Sequence, residues 1–87
     1  MSSYEIIISP DFEKDTKTIV KKDPVLSRRL QRTIANILAN PECGKPLRNV
    51  LKGRRRVHIG HFVLVYKIDD SNKTITLLRF THQRLSN

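Results

Sequence analysis

The segment "KGRRRVHIGHFVLVYK", residues 52–67, concentrates groups able to act on an anion: Lys52, Arg54, Arg55 and Arg56 fall within five residues, and His58 follows. An Arg fork matches phosphate oxygens two at a time. An imidazole with its ordinary pKa of about 6.5 can take or give a proton near neutral pH. Between Gly44 and Ile68 stand seven cations (Lys45, Arg48, Lys52, Arg54, Arg55, Arg56 and Lys67) and no acid. A charged edge that only blocks aggregation needs less than this. So much unrelieved charge points to a polyanion. Cys43, His58, His61 and His82 are too few and too poorly spaced for a zinc site, and no cofactor or metal is expected.

These groups have to be held by secondary structure. "YEIII" (Tyr4 to Ile8) is a short β-rich run. Ser9 can cap a helix whose first position suits Pro10, with Asp11 and Glu13 favouring its positive end. Phe12, Thr16, Ile19 and Val20 then recur at helical spacing. Asp23 and Pro24 repeat the start signal, Leu26, Leu30, Ile34, Ile37 and Leu38 form the stripe, and Asn40-Pro41 ends it. The result is a helical hairpin.

"LRNVL" reads as a short edge strand. "RRRVHI" and "FVLVYKI" are strands joined at Gly60-His61, a pair suited to a type II′ turn. "DDSNK" closes a second hairpin and "TITLLRFTH" supplies the last strand. The expected fold is α+β: an N-terminal strand, the helical hairpin, then antiparallel strands in a twisted sheet with both helices on one face. Alternation sends Val57 and Ile59 inward with Phe62, Leu64, Tyr66 and Ile68. Arg54, Arg56, His58, Val63, Val65 and Lys67 are then left on the uncovered face. Phe62, Tyr66 and Phe80 should be mostly buried, which argues against a platform for stacked bases.

Eighty-seven residues make one domain, residues 1–87, with one modest core. The net charge is +9, from 17 Lys and Arg against 8 Asp and Glu, which favours a polyanion: nucleic acid, an acidic protein or an anionic membrane surface. One cysteine allows no internal disulfide, and Cys43 is given no role. "MSSYEIIISPDFEK" reads as neither a signal peptide nor a membrane span, and a cytoplasmic location is expected.

The order of elements, with "SPDFEKD", "KPLRNVLKGRRRVHIGHFVLVYKID" and "LLRFTHQR", resembles the RelE/ParE toxin superfamily over nearly the whole chain. The resemblance implies the toxin of a toxin–antitoxin pair, silenced by an acidic antitoxin. RelE-like members cleave mRNA in the ribosomal A site without a metal, by attack of a ribose 2′-OH on the adjacent phosphate. ParE-like members poison DNA gyrase instead. Basic residues on the strand of Arg54, Arg56 and His58 favour the RelE type, and His82 matches a C-terminal His of several nuclease members. Those four are the expected catalytic groups; Lys45, Arg48, Lys52, Arg55, Lys67 and Arg84 are the expected RNA contacts. Two features depart from the pattern. Val63 stands where an "(Y/H)RLVY" string often has Arg, and no Tyr follows the last strand. Both keep open a catalytically weak relative that binds RNA or a partner.

Overall fold

Ser9 begins the helical layer, accepting the Phe12 N–H at 3.1 Å with Pro10 in the first turn. The resulting helix, α1, runs Pro10–Lys22. Asp23 closes it by donating its N–H to Ile19 O at 3.1 Å, and opens α2 (Pro24–Ala39) by accepting the Leu26 N–H at 3.0 Å. One residue therefore caps two helices, which is why the hairpin needs no longer joint. A one-turn 3-10 helix, Pro41–Cys43, follows Asn40.

The computed structural model describes residues 3–47 and 53–83. Its five strands are β1 (Glu5–Ile8), β2 (Lys45–Pro46), β3 (Arg54–Ile59), β4 (Phe62–Asp69) and β5 (Thr74–His82), in the sheet order β1-β5-β4-β3-β2. The sheet is mixed rather than wholly antiparallel, because β1 pairs parallel with β5, Glu5 facing Thr74 and Ile8 facing Leu77. The described edge strand is Lys45–Pro46, just ahead of the one expected at "LRNVL"; residues 48–51 of that string lie outside the described residues.

Both hairpin turns follow their local chemistry. Gly60 takes φ 60 while His61 avoids positive φ, as a type II′ turn demands. In the β4–β5 turn the Asp69 carboxylate accepts the Ser71 hydroxyl (2.6 Å), the Asn72 amide group (2.8 Å) and both backbone N–H groups. Those bonds, the Ser71 hydroxyl foremost, hold its pKa down at about 2.

The helices cover one face. Phe12, Leu26, Leu30 and Ile37 pack on Ile59, Leu64, Tyr66, Ile75, Leu77 and Phe80, with Phe62 and Ile68 beside them. Beyond Ile8, α1 takes over the edge of β5. Ser9 still donates to Leu77 O and, through its hydroxyl, to Leu78 O, both at 3.1 Å; past it, Asp15 accepts the Phe80 N–H at 2.9 Å and forks Arg79 at 2.8 and 3.1 Å. Among the described residues no helix is long and apolar enough to cross a membrane.

Candidate functional site

The uncovered face carries the cations in register. Lys45 pairs with Arg56 and Arg56 with Val65; Arg54 pairs with Lys67, and His58 with Val63. Directly paired residues of antiparallel strands share a face, so Lys45, Arg54, Arg56, His58 and Lys67 stand together. All but Arg54 are exposed. Arg54 is half-buried, and its Nε is enclosed without a hydrogen-bond acceptor among the described residues. The acids of this face, Glu5 and Asp69, lie in the row of Thr74, at the end of the sheet away from the Gly60 turn. A cleft of about 560 Å³, lined by Lys45, Pro46, Leu47 and Arg56, runs along the β2 edge. The arrangement is an anion-binding surface with one imidazole beside it.

Arg55 does something else. It pairs with Tyr66 on the helix side, where its Nη1 donates to Gly44 O at 2.7 Å and Glu42 O at 3.2 Å. The sequence reading counted it as an RNA contact; the structure spends this nitrogen on a loop, because alternation turns Arg55 away from its neighbours Arg54 and Arg56. The fully buried Tyr66 serves the same loop. Its hydroxyl donates to Pro41 O at 2.6 Å and accepts the Gly44 N–H at 3.0 Å, and burial pushes its pKa up to about 12.

His82 also lies away from the basic face. Val65 faces Arg79 but Tyr66 faces Leu77, so Leu78 is a bulge with no partner in β4. A bulge shifts the alternation by one residue. Leu77 and Phe80 therefore both enter the core, and His82 pairs with Phe62 on the helix side. Its ring stacks on His61 at 6.1 Å between centroids and meets Phe62 edge-on at 5.4 Å. Sequence alone places His61 only in the turn; its stacking on His82 becomes visible only in the fold. His58 and His82 sit in adjoining rows at the Gly60 end of the sheet, on opposite faces. Arg48, Lys52 and Arg84 lie outside the described residues.

Val63 corrects a second expectation. It is on the uncovered side, between His58 and Thr81, yet only 3% exposed. It is absent from the core cluster under the helices, so the side assignment holds while its assumed openness does not.

The family described as the ParE toxin of type II toxin–antitoxin systems matches residues 6–85. The protein named as toxin RelE4 of Methanocaldococcus jannaschii is 36% identical over 80 residues, 91% of this chain and 85% of that protein. A chain of the RelBE2 toxin–antitoxin complex of Mycobacterium tuberculosis is 26% identical with a TM-score of 0.75, over 92% of this chain and 98% of that one. A chain of the E. coli DinJ–YafQ toxin–antitoxin complex shares the fold at a TM-score of 0.78 and 22% identity, over 98% and 99% of the two chains.

Proposed function

This chain belongs to the ParE toxin family of type II toxin–antitoxin systems, within the RelE/ParE superfamily, and from that premise we propose that it is an mRNA endoribonuclease acting on the ribosome. The observation that carries the reading is the basic face: Lys45, Arg54, Arg56, His58 and Lys67 in adjoining rows, with a guanidinium nitrogen of Arg54 that has no acceptor among the described residues. A gyrase-binding surface has no need of an imidazole among arginines. Cleavage of RNA can use one as acid or base.

In the proposed reaction a base removes the proton of a ribose 2′-OH, and the 2′-oxygen bonds to the adjacent phosphorus. The bond from phosphorus to the 5′-oxygen breaks, and an acid delivers a proton to that oxygen. The products are a 2′,3′-cyclic phosphate and a 5′-hydroxyl end. Arg54 and Arg56 hold the phosphate and stabilise the charge that grows on it, a role worth a few kcal/mol per fixed donor. His58 is the proton carrier nearest these cations in register. His82, stacked on His61 at the same end of the sheet but on the opposite face, supplies the second proton only if the RNA passes around that end; otherwise a cation of the basic face does. The partner that silences this face is an acidic antitoxin, a reading supported by the toxin–antitoxin complexes in which the related folds occur.

Primer extension on an mRNA, with and without ribosomes, tests the proposal. The parent should produce ribosome-dependent breaks, and removing the true proton carrier, His58→Ala or His82→Ala, should slow single-turnover cleavage by about 10²–10⁴-fold. If both variants cleave at the parent rate, neither imidazole carries the chemistry. The family's ParE designation favours one other reading, a gyrase poison. In that case ribosomes add no breaks and DNA supercoiling by gyrase stalls.

A further inference from the structure

Lys45 and Arg56 stand directly opposite each other at the β2 edge. Like charges in that position repel, and β2 has only two residues, one of them Pro46, to resist. Beyond Pro46, Leu47 donates its N–H to Arg54 O at 3.0 Å and holds one side of the pair. On the other side, the bonds reach the residue just before Lys45. Tyr66 Oη accepts the Gly44 N–H at 3.0 Å and donates to Pro41 O at 2.6 Å, while Arg55 Nη1 donates to Gly44 O at 2.7 Å. Tyr66 and Arg55 are cross-strand neighbours, so one row of the sheet seizes the loop from the helix side. The fit is tight. A Cβ on Gly44 would lie 2.6 Å from Tyr66 Oη and 2.9 Å from Arg56 O, closer than a side chain tolerates.

We propose that Tyr66 and Arg55 are positioning residues that clamp the Pro41–Gly44 loop and so hold Lys45 against Arg56, forming a preorganised subsite for one RNA phosphodiester in the cleft along β2. A phosphate between two cations relieves the repulsion that the clamp maintains. Holding both cations in place beforehand spares the ligand the ordering cost of gathering them. A tyrosine kept only for its volume leaves the core intact as Phe and has no effect on a charge across the sheet. That difference makes the inference testable. It rests on the reading that this face meets RNA phosphates, but not on cleavage.

The test measures binding of the full chain to a 2′-O-methyl oligoribonucleotide, which lacks the attacking hydroxyl, across a range of salt. Lys45→Gln should weaken binding about fivefold, as the loss of one charge-assisted contact predicts, and should flatten the log–log salt dependence by about 0.7. Tyr66→Phe, which keeps every charge, should do the same. In the Lys45→Gln background, Tyr66→Phe should weaken binding no further. Parent-like affinity and slope in folded Tyr66→Phe, or losses that add in the double variant, would overturn the proposal. Arg55→Lys, keeping the charge but not the fork, approaches the clamp from its other side and carries the same expectation should Tyr66→Phe fail to fold. Independently of either, Lys45→Gln with the clamp intact should raise the urea midpoint and lose most stabilisation by inorganic pyrophosphate. A variant neither more stable nor less responsive to pyrophosphate overturns the proposal as well. Cleavage enters none of these readouts, so a failed primer-extension experiment and a failed clamp are separate results.

Discussion

Val63 shows how much a single side chain's surroundings matter. Its strand partners place it beside His58, on the face proposed to meet RNA, yet only 3% of it is exposed. A long cation has to leave that space or be buried without a partner, and unpaired buried charge is among the few large sources of destabilisation. Val63→Arg is therefore expected to cost about 2 kcal/mol or more of stability, read from urea unfolding. A midpoint equal to the parent's would mean that the Arg escapes to the surface along the sheet. Under the proposed function, the cations of β3 hold the phosphate without an Arg at Val63. The same local accounting reassigns Arg55: three consecutive arginines look alike in sequence, but the middle one faces the helices.

Among the elements, the β4–β5 hairpin makes the clearest pH prediction. Asp69 has a folded pKa of about 2 against an ordinary value of 3.8, because Ser71 and Asn72 donate to its charged form. Between those values the unfolded chain binds more protons than the folded one, so stability falls as pH falls. Its contribution is complete above pH 3.8 and lost as pH drops through about 2. The stability gap between the parent and Asp69→Asn should shrink across that window when urea midpoints are followed downward from pH 5. A constant gap would mean that the turn does not depend on the ionised carboxylate. At the other end of the hairpin, the bulge at Leu78 controls something different: it decides which face receives His82.

For the molecule as a whole, charge governs encounter. A net +9 on 87 residues draws any polyanion, and most of that attraction is not specific. The sheet face and the exposed outer side of α1, with Lys14 and Lys17, compete for the same ligand in principle. If the sheet face is the RNA site, Arg54→Ala with Arg56→Ala should flatten the salt dependence of single-stranded RNA binding by about 1.4, or about 0.7 for each phosphate contact. Lys14→Ala with Lys17→Ala should leave it nearly unchanged. The reverse pattern would move the RNA to the helical layer and leave the sheet face for a protein partner.

Local rules made much of this legible in advance. Ser9 and Asp23 announce both helices through groups within three residues of them, the Gly60-His61 pair announces its turn, and strict alternation in β3 and β4 separates Arg54, Arg56 and His58 from the core. Each of these depends on neighbours a few residues away, which a sequence displays directly. The pairing of β1 with β5 joins residues about seventy positions apart, and nothing in "EIII" says which edge it will join or in which direction. The bulge hides for a related reason. In "TLLRF" apolar residues occur at both alternation phases, so either register buries something, and only packing against Phe12 and Phe62 selects Phe80 and carries His82 to the helix side. The burial of Val63 and the Tyr66–Gly44–Arg55 clamp belong to the same class. They join residues from different parts of the chain, and the contacts that define them exist only once the sheet has closed.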